Sequence, residues 1–102
     1  MSSKRLAMLE KMTAAGSKDP FAWYGLAMEY RRLDRVTEAQ TAFEQLRAKF
    51  PDYLPQYLMA AQLLKDTQPD IAKEWLTAGI DLATARGDSK TLGELEQVLA
   101  EL

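Results

Sequence analysis

The side chains that most often carry enzymatic chemistry are missing from this sequence. Histidine and cysteine are both absent from its 102 residues. An imidazole base, a thiolate nucleophile and the usual ligands of zinc, haem and iron–sulfur clusters are therefore excluded. What remains is carboxylate, lysine, hydroxyl and phenol chemistry. Glu29 and Asp34 are too far apart on a helix for their spacing to make a carboxylate dyad. Ser2, Ser3, Ser17 and Ser89 all fall at expected helix ends, where backbone capping accounts for them. The 5 glycines are scattered and form no phosphate-cradling loop. No catalytic constellation emerges, no metal or organic cofactor is implied, and the reading is of a protein that is not an enzyme.

Charge argues the same way against polyanions. The chain carries 13 basic and 15 acidic residues, a net charge of −2, and so projects no global field that would hold a nucleic acid. Arg31, Arg32 and Arg35 do cluster, but Glu29, Asp34 and Glu38 are interleaved with them, the pattern of a solvated charged rim. No nucleic-acid partner is expected. Near the start, Leu6-Ala7-Met8-Leu9 is interrupted by Glu10 and Lys11, short of the roughly 7–15 apolar residues of a secretory signal. No run approaches the ~18 apolar residues of a membrane span. The expectation is a cytoplasmic protein without a membrane partner.

Only helices can position these side chains. Leu and Ala number 15 each while Val and Ile together number 4, which favours helix over strand throughout. Six segments carry helical spacing. Leu6, Leu9 and Met12, with Met8 alongside, form the stripe of the first, over residues 3–16. Trp23, Leu26, Ala27 and Tyr30 form the buried face of the second, which opens on Asp19-Pro20 as cap and first turn. After a turn at Asp34-Arg35, the third places Val36, Ala39, Phe43, Leu46 and Phe50 on one face. Pro55 starts the fourth, with Tyr57, Ala60, Ala61 and Leu64. The fifth carries Ile71, Ala72, Trp75, Leu76, Gly79 and Leu82. Gly87-Asp88 then pairs a helix stop with a new cap. The sixth, over residues 89–102, is expected to bury Leu92, Leu95, Val98, Leu99 and Leu102, with Glu94, Gln97 and Glu101 facing water.

Helices two and three repeat as helices four and five. Trp23 and Tyr57 are 34 residues apart, as are Ala27 and Ala61, and Tyr30 and Leu64. The first unit reads Trp23-x2-Leu26-Ala27-x2-Tyr30, then Ala39-x3-Phe43, then Pro51. This resembles the tetratricopeptide repeat family, whose pattern is Trp-x2-Leu-Gly-x2-Tyr, Ala-x3-Phe and Pro, with only the Gly changed to another small residue. The second unit is degraded: Tyr57-x2-Ala60-Ala61-x2-Leu64, then Ala72-x3-Leu76, with Gly79 falling where Leu46 falls in the first. The resemblance covers about residues 20–86. It implies an all-α fold in which helix hairpins stack as a short α-solenoid. The expected organisation is one domain over 1–102, with repeats at 20–52 and 54–86 between an N-terminal helix at 3–16 and a C-terminal capping helix at 89–102. Ala27, Ala39, Ala61 and Ala72 are the points where paired helices approach too closely for larger side chains.

A second apolar stripe stands apart from that core. Phe21, Tyr24 and Met28 are spaced by three and four, off the Trp23 face. Helix four continues the row with Leu58, flanked by Met59, and ends it with Gln62 and Lys65. In this family the first helix of each repeat lines a concave groove that meets peptide ligands. The resemblance thus makes Phe21, Tyr24, Met28, Arg31, Leu58, Gln62 and Lys65 the groove candidates. It implies a non-catalytic module that binds a peptide or helix of another protein, with Arg31 and Lys65 orienting acidic groups of the ligand. A homodimer that buries the stripe, or a small assembly or secretion chaperone, is the alternative. Burial of the stripe under helix one or helix six also stays open. One branch of the family clamps C-terminal carboxylates with Lys, Asn and Arg. The matching points here are Tyr24, Met28 and Met59, none a cation or an amide, so that use is not expected.

Overall fold

The structure, a computed structural model, describes residues 3–102. It contains six α-helices and, among the described residues, no strand: α1 (Lys4–Ala14), α2 (Pro20–Arg32), α3 (Val36–Lys49), α4 (Pro55–Leu64), α5 (Pro69–Arg86) and α6 (Ser89–Ala100). They fall into two compact units, the first ending at Tyr53 and the second spanning Leu54–Leu102.

In the first unit, local chemistry sets the helix ends. The Ser3 hydroxyl accepts from Leu6 N–H at 3.1 Å and caps α1, whereas Ser2, the other candidate, lies outside the described residues. Gly16, at φ 79°, supplies the left-handed residue that releases the chain from α1. The Asp19 carboxylate accepts from Phe21 N–H at 3.0 Å, and Pro20 occupies the first turn of α2. Asp34, at φ 60°, turns the chain into α3, a conformation that Asp tolerates better than most residues.

Helix α2 packs on both α1 and α3. Ala27, Ala39 and Phe43 are fully buried. Trp23 is buried too, and its indole N–H donates to the Ser17 carbonyl at 2.8 Å, while the Lys49 ammonium sits 5.0 Å from its ring centroid. The Tyr30 hydroxyl donates to Glu10 at 2.6 Å, and the Arg35 guanidinium lies 4.9 Å from the Tyr30 ring. Burial, reinforced by that hydrogen bond to a carboxylate, pushes the Tyr30 phenol up to about 12.

The stripe of α1 is narrower than its sequence suggests. Leu6 and Leu9 are buried, but Met8 and Met12 are 55% and 40% exposed, and Thr13 takes the third buried place. Helix α1 packs mainly on α2, and one main neighbour covers only a narrow arc of a helix surface. Thr13 can enter because its hydroxyl donates to the Leu9 carbonyl at 2.9 Å, so no buried donor is left unmade.

In the second unit, α5 packs on both α4 and α6, and α6 also reaches α4. Ala60, Ala61, Ala72 and Leu76 are fully buried, and the Tyr57 and Trp75 rings tilt together at 5.7 Å. Gly79 belongs to this interface rather than marking decay of the repeat. A Cβ there would lie 2.7 Å from Tyr57 Cβ, inside any tolerable contact. Gly87, at φ 67°, stops α5, and the Asp88 carboxylate accepts from Thr91 N–H at 3.1 Å to start α6. The α6 stripe is again narrower than expected: Leu95 and Val98 are buried, whereas Leu92, Leu99 and Leu102 are half-buried. Ile71 is also exposed, outside the arc that α5 presents to its neighbours.

Candidate functional site

The expected groove residues divide between the two units. Phe21, Tyr24, Met28 and Arg31 lie on α2 in the first; Leu58, Gln62 and Lys65 lie on or just after α4 in the second.

On α2 the three apolar side chains are not equivalent. Phe21 is 60% exposed, the most exposed large apolar side chain among the described residues. Tyr24 is half-buried, with its ring tilted against Tyr53 at 5.3 Å and edge-on to Phe43 at 6.4 Å. Burial, and next the neighbouring Tyr53, raise the Tyr24 phenol above its ordinary value, while Arg31 acts in the opposite direction. Tyr24 therefore joins the stripe to the core of its unit. Met28 is half-buried and lines an open cleft of about 460 Å³ with Arg5, Gly25, Glu29, Arg31 and Arg32.

That cleft holds residues the sequence reading assigned to a solvated rim or passed over. Glu29 is not solvated: its side chain is only 3% exposed. Its carboxylate takes the Arg32 guanidinium, accepts from the Ser3 hydroxyl at 3.1 Å and lies 4.0 Å from Arg5. The hydrogen bond from Arg32, more than any other contact, holds the Glu29 carboxyl below its usual range. The i,i+3 spacing of Glu29 and Arg32 was visible in the sequence. Arg5 carried no such signal, because it arrives from another helix. Gly25 permits this approach of α1, since a Cβ there would lie 3.2 Å from Leu9 Cδ2. Farther along the chain, Arg35 makes two hydrogen bonds of 2.6 Å to Glu38, as the interleaved charges suggest.

In the second unit Leu58, Gln62 and Lys65 share a cleft of about 270 Å³ with Glu94, Gln97, Val98 and Glu101 of the α6 region. The Lys65 ammonium lies 3.6 Å from the Glu101 carboxylate. Glu94, Gln97 and Glu101 are exposed as expected, yet they also form one wall of this cleft. Among the described residues no group of acidic side chains is placed to hold a metal, and no helix is long and apolar enough to cross a membrane.

Comparison with known proteins decides the family. Residues 20–63 match the model of the tetratricopeptide repeat family. The crystal structure of a tetratricopeptide repeat domain protein from Salinibacter ruber is 32% identical, with a TM-score of 0.74 over 81% of this chain and 94% of that one. The chain belongs to the tetratricopeptide repeat family. A solution NMR structure of a tetratricopeptide repeat domain protein from Salinibacter ruber gives the same identity and TM-score, over 81% of this chain and 85% of that one. Among curated proteins nothing matches. Tetratricopeptide repeats are helical-solenoid units that generally serve as non-catalytic protein-interaction scaffolds, which makes this chain a protein-interaction module in general terms.

Proposed function

We propose that this tetratricopeptide repeat protein is a non-catalytic module that takes a peptide or helix of a partner protein on the α2 face of Phe21, Tyr24, Met28 and Arg31. Leu58, Gln62 and Lys65 supply a further contact set on the second unit. The observation that carries the reading is Phe21. Phe21 is 60% exposed on a helix that packs on both α1 and α3. A large aromatic left in water beside a methionine and a tyrosine is the kind of anchor that association buries.

Exposure also makes the reading testable, because Phe21 contributes little to folding. In Phe21→Ala the melting temperature should stay within about 2 °C of the parent, as for surface substitutions of under roughly 0.5 kcal/mol. Affinity for the partner recovered by cross-linking at position 21 should fall by more than about 1 kcal/mol. Tyr24→Ala should lose both, since its ring also packs on Tyr53 and Phe43. A large loss of stability in Phe21→Ala, rising with protein concentration, would instead identify a homodimer interface.

A further inference from the structure

Helices α1 and α6 each show water a face that the other complements. Helix α1 rests on α2 through Leu6, Leu9 and Thr13. Its far side carries Lys4, Met8, Lys11 and Met12, all exposed and close enough in angle to share one broad face. Met8 and Met12 are among the few large apolar side chains left in water, at 55% and 40% exposed. The other charges of α1 are engaged within their own unit, Arg5 beside Glu29 and Glu10 with the Tyr30 hydroxyl. Helix α6 rests on α5 and α4 through Leu95 and Val98. Gly93, Glu94, Gln97 and Glu101 of its exposed side again share a face.

The two spacings run in opposite directions, so the faces match when the helices lie antiparallel. Lys4 then falls against Glu101, Met8 against Gln97, Lys11 against Glu94 and Met12 against Gly93. Both cations meet carboxylates, and Lys90, the one cation of α6, falls against Ala15. The glycine leaves space for the Met12 side chain, since even a Cβ at Gly93 would meet nothing within 4 Å. Glu101 already lies 3.6 Å from the Lys65 ammonium, but its side chain is 50% exposed and can face a second cation.

We propose that this face of α1 docks antiparallel on the Glu94–Gln97–Glu101 face of α6 in a second copy of the chain. Charge selects this pairing over the symmetric ones. Two α1 faces would bring Lys4 and Lys11 onto their own kind, and two α6 faces would do the same with Glu94 and Glu101. The contact is heterologous, so each copy keeps one α1 face or one α6 face for a further neighbour. One pair of helices buries less than the roughly 1,200 Å² of a stable interface, so the association is weak and reversible. It does not use the α2 stripe, which stays open to a ligand.

Because the chain has no cysteine, single introduced thiols report the contact directly. Full-length Met8→Cys and Gly93→Cys, made with different masses, are mixed at low salt with a short bismaleimide that spans the about 8–10 Å between packed helices. Mixed dimers should exceed either like pair by at least about fivefold, against the roughly twofold of random encounter, and should fade in about 0.5 M NaCl. Lys73→Cys, at an exposed position on α5, sets the level of random encounter. Adding Lys11→Glu to the Met8→Cys chain, or Glu94→Lys to the Gly93→Cys chain, should cut the mixed yield by about three- to fivefold. Combining the two should restore it, which loss of folding could not do. Each charge variant should melt like the parent, since its side chain is exposed. A mixed yield no higher than the Lys73→Cys level would overturn the proposal, as would failure of the charge swap to restore it. Prevalent Met8→Cys like pairs would point instead to a symmetric α1 contact. Loss of the cross-link in Phe21→Ala but not in Lys11→Glu would assign the association to the α2 stripe, and either result would also overturn the α1–α6 contact.

Discussion

Two glycines in the second unit make opposite predictions for the same substitution. Gly79 lies in α5 and Gly93 in α6. Alanine is about 1 kcal/mol better than glycine in a helix interior, so propensity alone stabilises both variants equally. Space separates them. A Cβ at Gly93 meets nothing within 4 Å, whereas at Gly79 it falls 2.7 Å from Tyr57 Cβ and 3.2 Å from Leu95 Cδ1. Carbon atoms rest at about 3.5–4.0 Å, so relieving the first contact requires roughly 1 Å of separation. Tyr57 Cβ cannot yield alone, because it is bonded directly to the backbone of α4 and its ring is packed on Trp75. The displacement falls on the helix pair, and overpacking of that kind costs up to about 3 kcal/mol. Subtracting the propensity gain leaves Gly79→Ala less stable by about 1–2 kcal/mol, while Gly93→Ala gains about 0.5–1 kcal/mol. Thermal melts followed by far-UV circular dichroism, with the fluorescence of buried Trp75 as a local probe, should show Gly79→Ala falling by roughly 5–10 °C and Gly93→Ala rising by a few degrees. If Gly79→Ala melts at or above the parent, the α4–α5 approach described here is wrong.

Alkaline titration should weaken the first unit. Because burial and Glu10 push the folded-state Tyr30 phenol up to about 12, above an unfolded value near 10, its contribution is complete below pH ~10 and is lost as pH climbs to about 12. Tyr30→Phe should flatten that part of the stability curve measured by urea melts. At the other end of the scale, the hydrogen bond from Thr91 N–H holds Asp88 below its ordinary range. The contribution of this cap is present above the unfolded value of about 3.9 and disappears as pH falls through the lower folded one. Asp88→Ala should therefore lower the melting temperature at pH 7 but not at pH 2.

Local signals were enough to place the elements. The 3.6-residue period, the Asp19 and Asp88 caps, and the positive φ available to Gly16, Asp34 and Gly87 all act within a few residues of themselves, so six helices and their breaks could be read in order. The small residues expected between paired helices could be read as well: Ala27, Ala39, Ala61 and Ala72 are all fully buried. Tertiary structure decided how wide each apolar arc is. Met8 and Met12 share the period of Leu6 and Leu9 yet remain in water, because α1 packs mainly on α2, whereas Leu92 and Leu99 stay half-buried on α6, a helix that touches both α5 and α4. It also decided that Gly79 is a contact rather than a lapse in the repeat, since only the distance to Tyr57 says so. The candidate site divided in the same way. The exposure of Phe21 follows from its angular position on α2, which the sequence records. The cleft around Glu29 depends on Arg5 arriving from α1, and Lys65 is met by Glu101 across a separation of 36 residues. Periodicity reports which side chains share a face of one helix, and a charge brought in from another helix leaves no trace in it.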